Sequence, residues 1–313
     1  MGQPGFDAGG YRPWRMSADY GRRAAIPQAV IDPTSTSRCP STRPKRENQL
    51  SGNLEGEYFF NRSKLKDIPR RLVALEEAYD PGTVSRLESL GVGRGWRCLE
   101  VGAGAGSITR WLGRRVGAEG AVVATDLDTS FLDVSDADNV EIRELDLRSD
   151  SLPENRFDLV HTRFVLGHIP ERVEILGKLV GALRPGGWLL LEELDSFAWG
   201  AIDSGLHPEV VLAGLALLER QGFAPRWGRE MPALLRGRGL VNISAVAEAP
   251  IAEGGSPGLE WLRMTFDQMM NHGLAFEVPG DGDYEEWRQR TNDPGQWLVG
   301  VPIVAARGQL PGS

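Results

Sequence analysis

The 313-residue chain has few of the side chains that build covalent or metal frameworks. It holds only two cysteines, Cys39 and Cys98, and four scattered histidines. We therefore expect no metal site and no disulfide framework. The second absence is in keeping with a reducing cytoplasm. The chain also lacks a run of about 18 apolar residues and the apolar core of a signal peptide, so we expect no membrane partner and a cytoplasmic location.

Basic residues are also fewer than acidic ones, 35 against 43, so the net charge is −8. This balance argues against nucleic acid as a main partner. Residues 1–50 differ from the rest, since they hold eight basic and four acidic residues, are rich in proline, serine and arginine, and have no sustained periodicity. We predict that residues 1–50 form a disordered or flexible leader, the alternative being a tail that folds over a ligand or partner.

The rest of the chain predicts a doubly wound α/β domain preceded by a helical N-terminal cap at residues 51–94. Apolar residues recur at helical spacing over 63–90, with a break expected at Pro81-Gly82. From residue 95 to the end, apolar strands alternate with amphipathic helices, which indicates a mostly parallel sheet covered on both faces. Beyond Asp195 we predict a helix at 208–221, strands at 240–246 and 297–305, and substrate-lid insertions near 196–235 and 250–292.

The sharpest motif is an apolar strand followed by a glycine-rich turn, Cys98-Leu99-Glu100-Val101-Gly102-Ala103-Gly104-Ala105-Gly106-Ser107. Glycines allow a ligand to approach the backbone, and the amides of a following helix attract a carboxylate or phosphate. The dinucleotide pattern Gly-x-Gly-x-x-Gly/Ala fails here, since its last position is Ser107 or Thr109. An acid ends the second predicted strand at Asp126, where it can accept hydrogen bonds from ribose hydroxyls.

The acid followed by x-Gly-x-Gly-x-Gly resembles motif I of the class I S-adenosylmethionine-dependent methyltransferases. Strand-end acids at Asp126 and Asp146, the stretch after the fourth strand and the turn Pro185-Gly186-Gly187 are similar to the same family over about residues 95–195. The resemblance is greatest to the small-molecule branch that includes the ubiquinone/menaquinone and natural-product methyltransferases. It implies a seven-stranded Rossmann-like sheet with the order 3-2-1-4-5-7-6 and an antiparallel last strand.

The resemblance also implies that S-adenosyl-L-methionine is the cofactor. Glu100 would orient the turn or the cofactor's amino group, Asp126 would bind the ribose, and Asp146 with the Leu147 backbone would lie beside the adenine. Asp128 is the alternative to Asp126, although it is more typical of a helix N-cap. The implied cofactor-binding set is Tyr58, Glu100, Gly102, Ala103, Gly104, Gly106, Asp126, Leu127, Asp146, Leu147, Thr162 and Arg163.

The catalytic candidates are the two histidines at and after the fourth strand, His161 and His168, because a base helps to deprotonate a hydroxyl acceptor. Each has a structural alternative as a hydrogen-bonded residue. Glu193 and Asp195 end the fifth strand and are candidates to bind an amine, act as base or cap the next segment. The stripe from Trp261 to Met270 would line an apolar acceptor pocket, or else form core or the contact of a homodimer.

We therefore predict a methyltransferase acting on a small or medium organic acceptor, with O-methylation in secondary metabolism favoured. Three other functions are weighed against it. A peptide or protein methyltransferase would suit the acidic core, a non-catalytic cofactor-binding protein would keep the same fold, and an NAD-type oxidoreductase is disfavoured by the glycine spacing.

Overall fold

The computed structural model describes residues 68–135, 137–271, 278 and 280–312. The predicted leader, the first part of the cap including Tyr58, and His272 lie outside these residues. No helix in the described ranges is both long and apolar enough to cross a membrane. Within the same ranges, no group of three or more histidine, cysteine or acidic side chains is arranged to hold a metal ion.

A seven-stranded sheet organises the described chain, and its order confirms the prediction. Counted within the sheet, the order is 3-2-1-4-5-7-6, where the seventh strand (Ile303–Gln309) runs antiparallel to both neighbours. A separate antiparallel pair is formed by Ile251–Glu253 and Trp297–Val299. The strands are β1 (Arg97–Val101), β2 (Ala121–Asp126), β3 (Val140–Glu144), β4 (Phe157–Arg163), β5 (Leu183–Leu194), β6 (Val241–Glu248), β7 (Ile251–Glu253), β8 (Trp297–Val299) and β9 (Ile303–Gln309).

Seven α-helices accompany these strands in the described ranges. Central strands such as β4 are buried nearly throughout, as expected for a parallel sheet with helices on both faces. The edge strand β6 is mostly exposed. The helices are α1 (Ile68–Ser89), α2 (Ser107–Val116), α3 (Arg172–Ala182), α4 (Leu206–Arg220), α5 (Trp227–Gly237), α6 (Pro257–Asn271) and α7 (Asp283–Asn292).

The structure departs from the sequence prediction at three elements. Helix α1 continues through Pro81, where a break was expected, because residues on both sides of the proline are anchored: Tyr79 is buried, and Thr83 bonds to the sheet. The predicted strand 297–305 is two strands, β8 and β9. Helix α5 falls within a predicted lid insertion, yet Gly228 packs closely against Val304 of the sheet, so this helix covers the sheet.

Candidate functional site

A cavity of about 400 Å³ opens at the carboxyl ends of the parallel strands, where ligands of open α/β sheets bind. It has two ends that differ in chemistry. The turn end is lined by Glu100, 102–105, 126–128 and 145–148. The aromatic end is lined by Phe164, Trp199, Phe223, Trp261 and Phe266, together with leucines of α4 and α6.

The glycine-rich turn at the turn end is tightly fixed by its surroundings. Gly102 has a φ of +73°, and a Cβ atom placed there would lie 2.2 Å from Val165 Cγ2, so only glycine fits. The amides of Gly102 and Ala103 both donate to the carbonyl of Thr125. Gly106 also has a positive φ but does not line the cavity, so its predicted cofactor contact is replaced by a conformational role at the start of α2.

Asp126, the predicted ribose partner, lines the cavity, and one of its carboxylate oxygens accepts a hydrogen bond from the Gly104 amide at 2.9 Å. Burial raises the pKa of this carboxyl, while backbone amides act in the opposite direction. Asp128, the alternative, caps a short 3-10 helix by accepting from the Ser130 amide, although it also lines the cavity.

Asp146 and Leu147, the predicted neighbours of the adenine, line the turn end of the cavity. Arg148, which the sequence did not single out, binds the first of them. The Asp146 carboxylate accepts hydrogen bonds from Arg148, at 3.0 Å from Nε and 2.7 Å from Nη2. These bonds lower the pKa of Asp146. Leu147 is buried, and its carbonyl accepts from Lys178 Nζ at 2.7 Å, which fixes the backbone that faces the cavity.

Helix α1 supplies a wall of the cavity that site assignment from the sequence missed. Ile68, Leu72 and Leu75 line it, and their helical spacing was the available signal. Glu76 on the same helix accepts a hydrogen bond from the Ser107 amide at 3.1 Å, at the first residue of α2. The helix therefore contacts the glycine turn directly.

His161 does not line the cavity, and this placement corrects its assignment as catalytic base. The ring is buried, with Nε2 3.1 Å from Glu192 Oε2 and Nδ1 3.7 Å from Glu100 Oε1. Burial lowers the pKa of the imidazole, but the two carboxylates outweigh that effect and raise it to about 9. A histidine that holds its proton between two carboxylates is suited to positioning them and unsuited to removing a proton from a ligand.

The network around His161 extends to helix α1. Glu192 also accepts from Thr83 Oγ1 at 2.6 Å and from Arg86 Nη1 at 2.7 Å. Burial acts to raise the pKa of Glu192, but His161, Arg163 and the Thr83 hydroxyl together lower it to about 2. Arg163 lines the cavity while donating to Thr83 and to Asp80 of α1.

Two further predicted residues at the end of β4 and beyond have different surroundings. Thr162 is buried and does not line the cavity, because alternate residues of a strand face opposite sides of the sheet. His168 does line it, with its ring 4.7 Å from that of Phe223. Burial, followed by Arg71 and Arg172, lowers the pKa of His168 to about 3, so the imidazole is neutral near pH 7.

The two strand-end acids of β5 also differ from each other. Glu193 lines the cavity, and its Oε1 accepts from the amides of Leu166 at 2.7 Å and Val165 at 3.2 Å. Burial raises the pKa of Glu193 to about 7. Asp195 is buried away from the cavity and binds the Arg229 amide and guanidinium, so it anchors α5.

The aromatic end is built around a residue with an unusual backbone. Phe164, directly after β4, has a φ of +56°, and its ring stacks on that of Trp261 with centroids 5.3 Å apart. The stripe on α6 serves both predicted uses, because Trp261 and Phe266 line the cavity while Met269 lies in the core. His207 is structural, since its two nitrogens contact the Val299 carbonyl and Trp287 Nε1.

The geometry agrees with comparisons to known proteins. A model of the methyltransferase domain matches residues 99–191. The ubiquinone/menaquinone biosynthesis C-methyltransferase UbiE of Pseudomonas savastanoi pv. phaseolicola is 33% identical over 117 residues, which are 35% of this chain and 46% of that protein. The chain thus spans about half the length of the first relatives it matches. Methyltransferase str3 of Strobilurus tenacellus is 27% identical over 205 residues, covering 61% of this chain and 71% of that protein.

Solved structures support the fold. Phosphoethanolamine N-methyltransferase 2 of Haemonchus contortus, in complex with phosphomonomethylethanolamine and S-adenosylhomocysteine, superposes with a TM-score of 0.54 at 18% identity. The superposition covers 82% of this chain and 59% of that one. Sheet order, glycine turn and family match agree: residues 99–191 match a methyltransferase domain, and the described sheet has the fold of this solved methyltransferase.

Proposed function

We propose that this protein transfers a methyl group from S-adenosylmethionine to a hydroxyl of a small or medium organic acceptor held at the aromatic end of the cavity. The observation that carries the proposal is the continuity of that cavity. It joins a glycine turn with strand-end acids to an apolar, largely aromatic wall. The natural-product setting of the acceptor remains a prediction from the family resemblance.

The turn end fits the cofactor on two observations. Glu100 lines the cavity, and its buried Oε2 has no hydrogen-bond partner among the described residues, which makes this carboxylate a candidate to accept from a ligand's amino group. Asp126 keeps its carboxylate at the cavity while bonding the turn amide, and a carboxylate has capacity for further donors such as ribose hydroxyls. Asp146 and the Leu147 backbone form the next part of the wall.

When bound, S-adenosylmethionine supplies a methyl group to the acceptor oxygen, and its sulfur keeps the electron pair of the broken carbon–sulfur bond. The chain's own contribution is a proton acceptor and a dry, shaped cavity. Glu193 is the group we assign as base, because it lines the cavity and its pKa of about 7 lies near the pH of the reaction. Neutral His168 is assigned as a hydrogen-bonding neighbour, since a group with a pKa of about 3 is too weak a base.

Calorimetric titration tests the cofactor half of the proposal. We expect S-adenosylmethionine and S-adenosylhomocysteine to bind with micromolar affinity, about −8 kcal/mol, and NAD not to bind. Failure of both adenosyl ligands would contradict the proposal. The acceptor half is tested by transfer of a labelled methyl group to a panel of hydroxyl compounds, with matched amines and a basic peptide as comparison. Turnover of the peptide alone would favour the protein-methyltransferase alternative.

A further inference from the structure

The two rings that stack at the aromatic end are fixed from behind by a third ring. Tyr79 meets Phe164 edge-on at 5.1 Å and 84°, and meets Trp261 edge-on at 5.7 Å and 79°. Tyr79 itself does not line the cavity, and its hydroxyl donates to the Val301 carbonyl at 3.2 Å. Edge-on and offset contacts are the favoured aromatic geometries. The cavity therefore meets a pre-formed aromatic wall, the Phe164–Trp261 wall.

The backbone of Phe164 is strained to keep its ring in this wall. Its φ of +56° lies in the left-handed region, which is unfavourable for a non-glycine residue. The conformation is held because the Phe164 amide donates to the Glu192 carbonyl at 2.8 Å and the next two amides donate to Glu193. Glycine would adopt this φ without strain but would supply no ring. The phenyl ring is therefore what this residue adds to the wall.

The other half of the wall carries a polar group suited to a ligand. Trp261 is 8% exposed and lines the cavity, and its indole Nε1 has no hydrogen-bond partner in the described part of the chain. Leaving a buried donor without an acceptor is unfavourable, and such groups are rare in folded proteins. An oxygen on a bound molecule is the partner that satisfies this N–H without burying a second charge.

We propose that the methyl acceptor is a flat aromatic alcohol, whose ring lies on the Phe164–Trp261 wall and which offers an oxygen to the Trp261 indole N–H. The inference rests on the proposed function and narrows its acceptor to phenol-type compounds. A saturated ring of equal size would lose the flat contact, and an aromatic hydrocarbon would leave the indole donor unsatisfied.

Ligand-observed NMR on the full chain tests this with three probes, 2-naphthol, 2-decalol and 2-methylnaphthalene. We expect 2-naphthol to bind at least tenfold more tightly than the other two. Trp261→Phe keeps an aromatic ring and removes the hydrogen-bond donor. It should therefore weaken the binding of 2-naphthol five- to tenfold while changing the affinity for 2-methylnaphthalene less than twofold. Phe164→Leu should remove most of the preference for 2-naphthol over 2-decalol. Trp297→Phe is the matched control, since this tryptophan is 65% exposed on β8 and does not line the cavity.

Equal binding of 2-naphthol and 2-decalol to the parent protein would overturn the inference. The inference would also be overturned if Trp261→Phe lost equal affinity for 2-naphthol and for 2-methylnaphthalene, provided that the melting temperature of the variant stays within a few degrees of the parent. Calorimetry with S-adenosylhomocysteine is run on the same samples. Loss of that binding with retained aromatic selectivity would contradict the proposed function, whereas cofactor binding without selectivity would contradict only this inference.

Discussion

The turn end and the aromatic end share one cavity but are assembled in different ways. Every element of the turn end comes from strand ends between Glu100 and Arg148, within the segment that matches the methyltransferase family. The aromatic end takes one ring, Phe164, from that segment. Two others, Trp199 and Phe223, come from the stretches on either side of α4, and Trp261 and Phe266 come from α6. The comparison shows that the turn end is encoded locally, whereas the aromatic end depends on packing between segments distant in sequence.

The largest expected effect separates the chemistry at Glu193 from cofactor binding. Glu193→Gln should lower turnover by roughly 10²–10⁴-fold, the usual contribution of a general base, while S-adenosylmethionine affinity stays within twofold. In the parent, turnover should rise with pH through about 7 as the carboxylate forms, and the variant should lose that rise. Steady-state rates across pH 5–9 check this. A variant as active as the parent would return Glu193 to a structural role in holding the amides of residues 165 and 166.

At the turn end, the strongest expected effect is steric. Gly102→Ala places a Cβ 2.2 Å from Val165 Cγ2 and puts an alanine at a position whose φ is positive. We therefore expect a destabilisation of about 3 kcal/mol or more, together with loss of cofactor binding. Gly117→Ala is the control, because its φ is +68° but no atom lies within 4 Å of the new Cβ. It should cost only about 1–2 kcal/mol. Equal denaturation midpoints for the two variants would show that packing at Gly102 is unimportant.

Asp126→Ala should weaken S-adenosylmethionine binding by roughly 10–100-fold, since hydrogen bonds to charged groups contribute about 1.5–3 kcal/mol. It also removes the acceptor of the Gly104 amide. Asp128→Ala removes a neighbouring carboxylate that caps the short helix, and affinity should change less than threefold. Calorimetry distinguishes the two positions, and a larger loss at Asp128 would transfer the ribose role to it.

The smallest expected effect on ligand binding comes from the network behind the cavity, whose titration changes the stability of the fold. The pKa of His161 is raised from 6.5 to about 9, so its contribution to stability is complete below pH 6.5 and is lost as pH rises through 9. The free energy of unfolding should fall over that interval with a slope of up to about 1.4 kcal/mol per pH unit. His161→Asn should flatten the slope. Glu192, with a lowered pKa, acts in the opposite direction and loses its contribution as pH falls below 4.5. Urea titrations at five pH values measure both, and an unchanged slope in the variant would contradict the assignment.

The sequence predicted the elements that depend on one strand and the residues that follow it. Asp126 ends β2, Asp146 lies two residues beyond β3, and both line the cavity, while the sheet order followed from the family resemblance. His161 was misassigned because β4 continues two residues beyond it, to Arg163, so the strand end that lines the cavity is Arg163 and not His161. A different limit applies to Glu192 and Glu193, since the sequence does not say which face each side chain takes: one enters the His161 network and the other lines the cavity.

Elements whose surroundings come from distant segments were harder to predict. Helix α1 passes through Pro81 because tertiary contacts override the local cost of proline. The Phe164–Trp261 contact joins residues 97 positions apart, and nothing near Phe164 signals a positive φ. In both cases the deciding interactions become visible only when the chain is folded.

The carboxylate of Glu76 at the first amide of α2 has a consequence for the choice among cellular nucleotides. The positive end of a helix normally draws in phosphate, and cells contain abundant dinucleotides that would compete for such a place. Here Glu76 takes the Ser107 amide and Asp126 takes the Gly104 amide, so two donors that could cradle a diphosphate already face negative charge. We therefore expect like-charge repulsion to weaken the binding of polyanions at this place and to favour a cationic sulfonium that carries an amino group. On this expectation, the turn end selects its ligand by the sign of the charge as well as by shape.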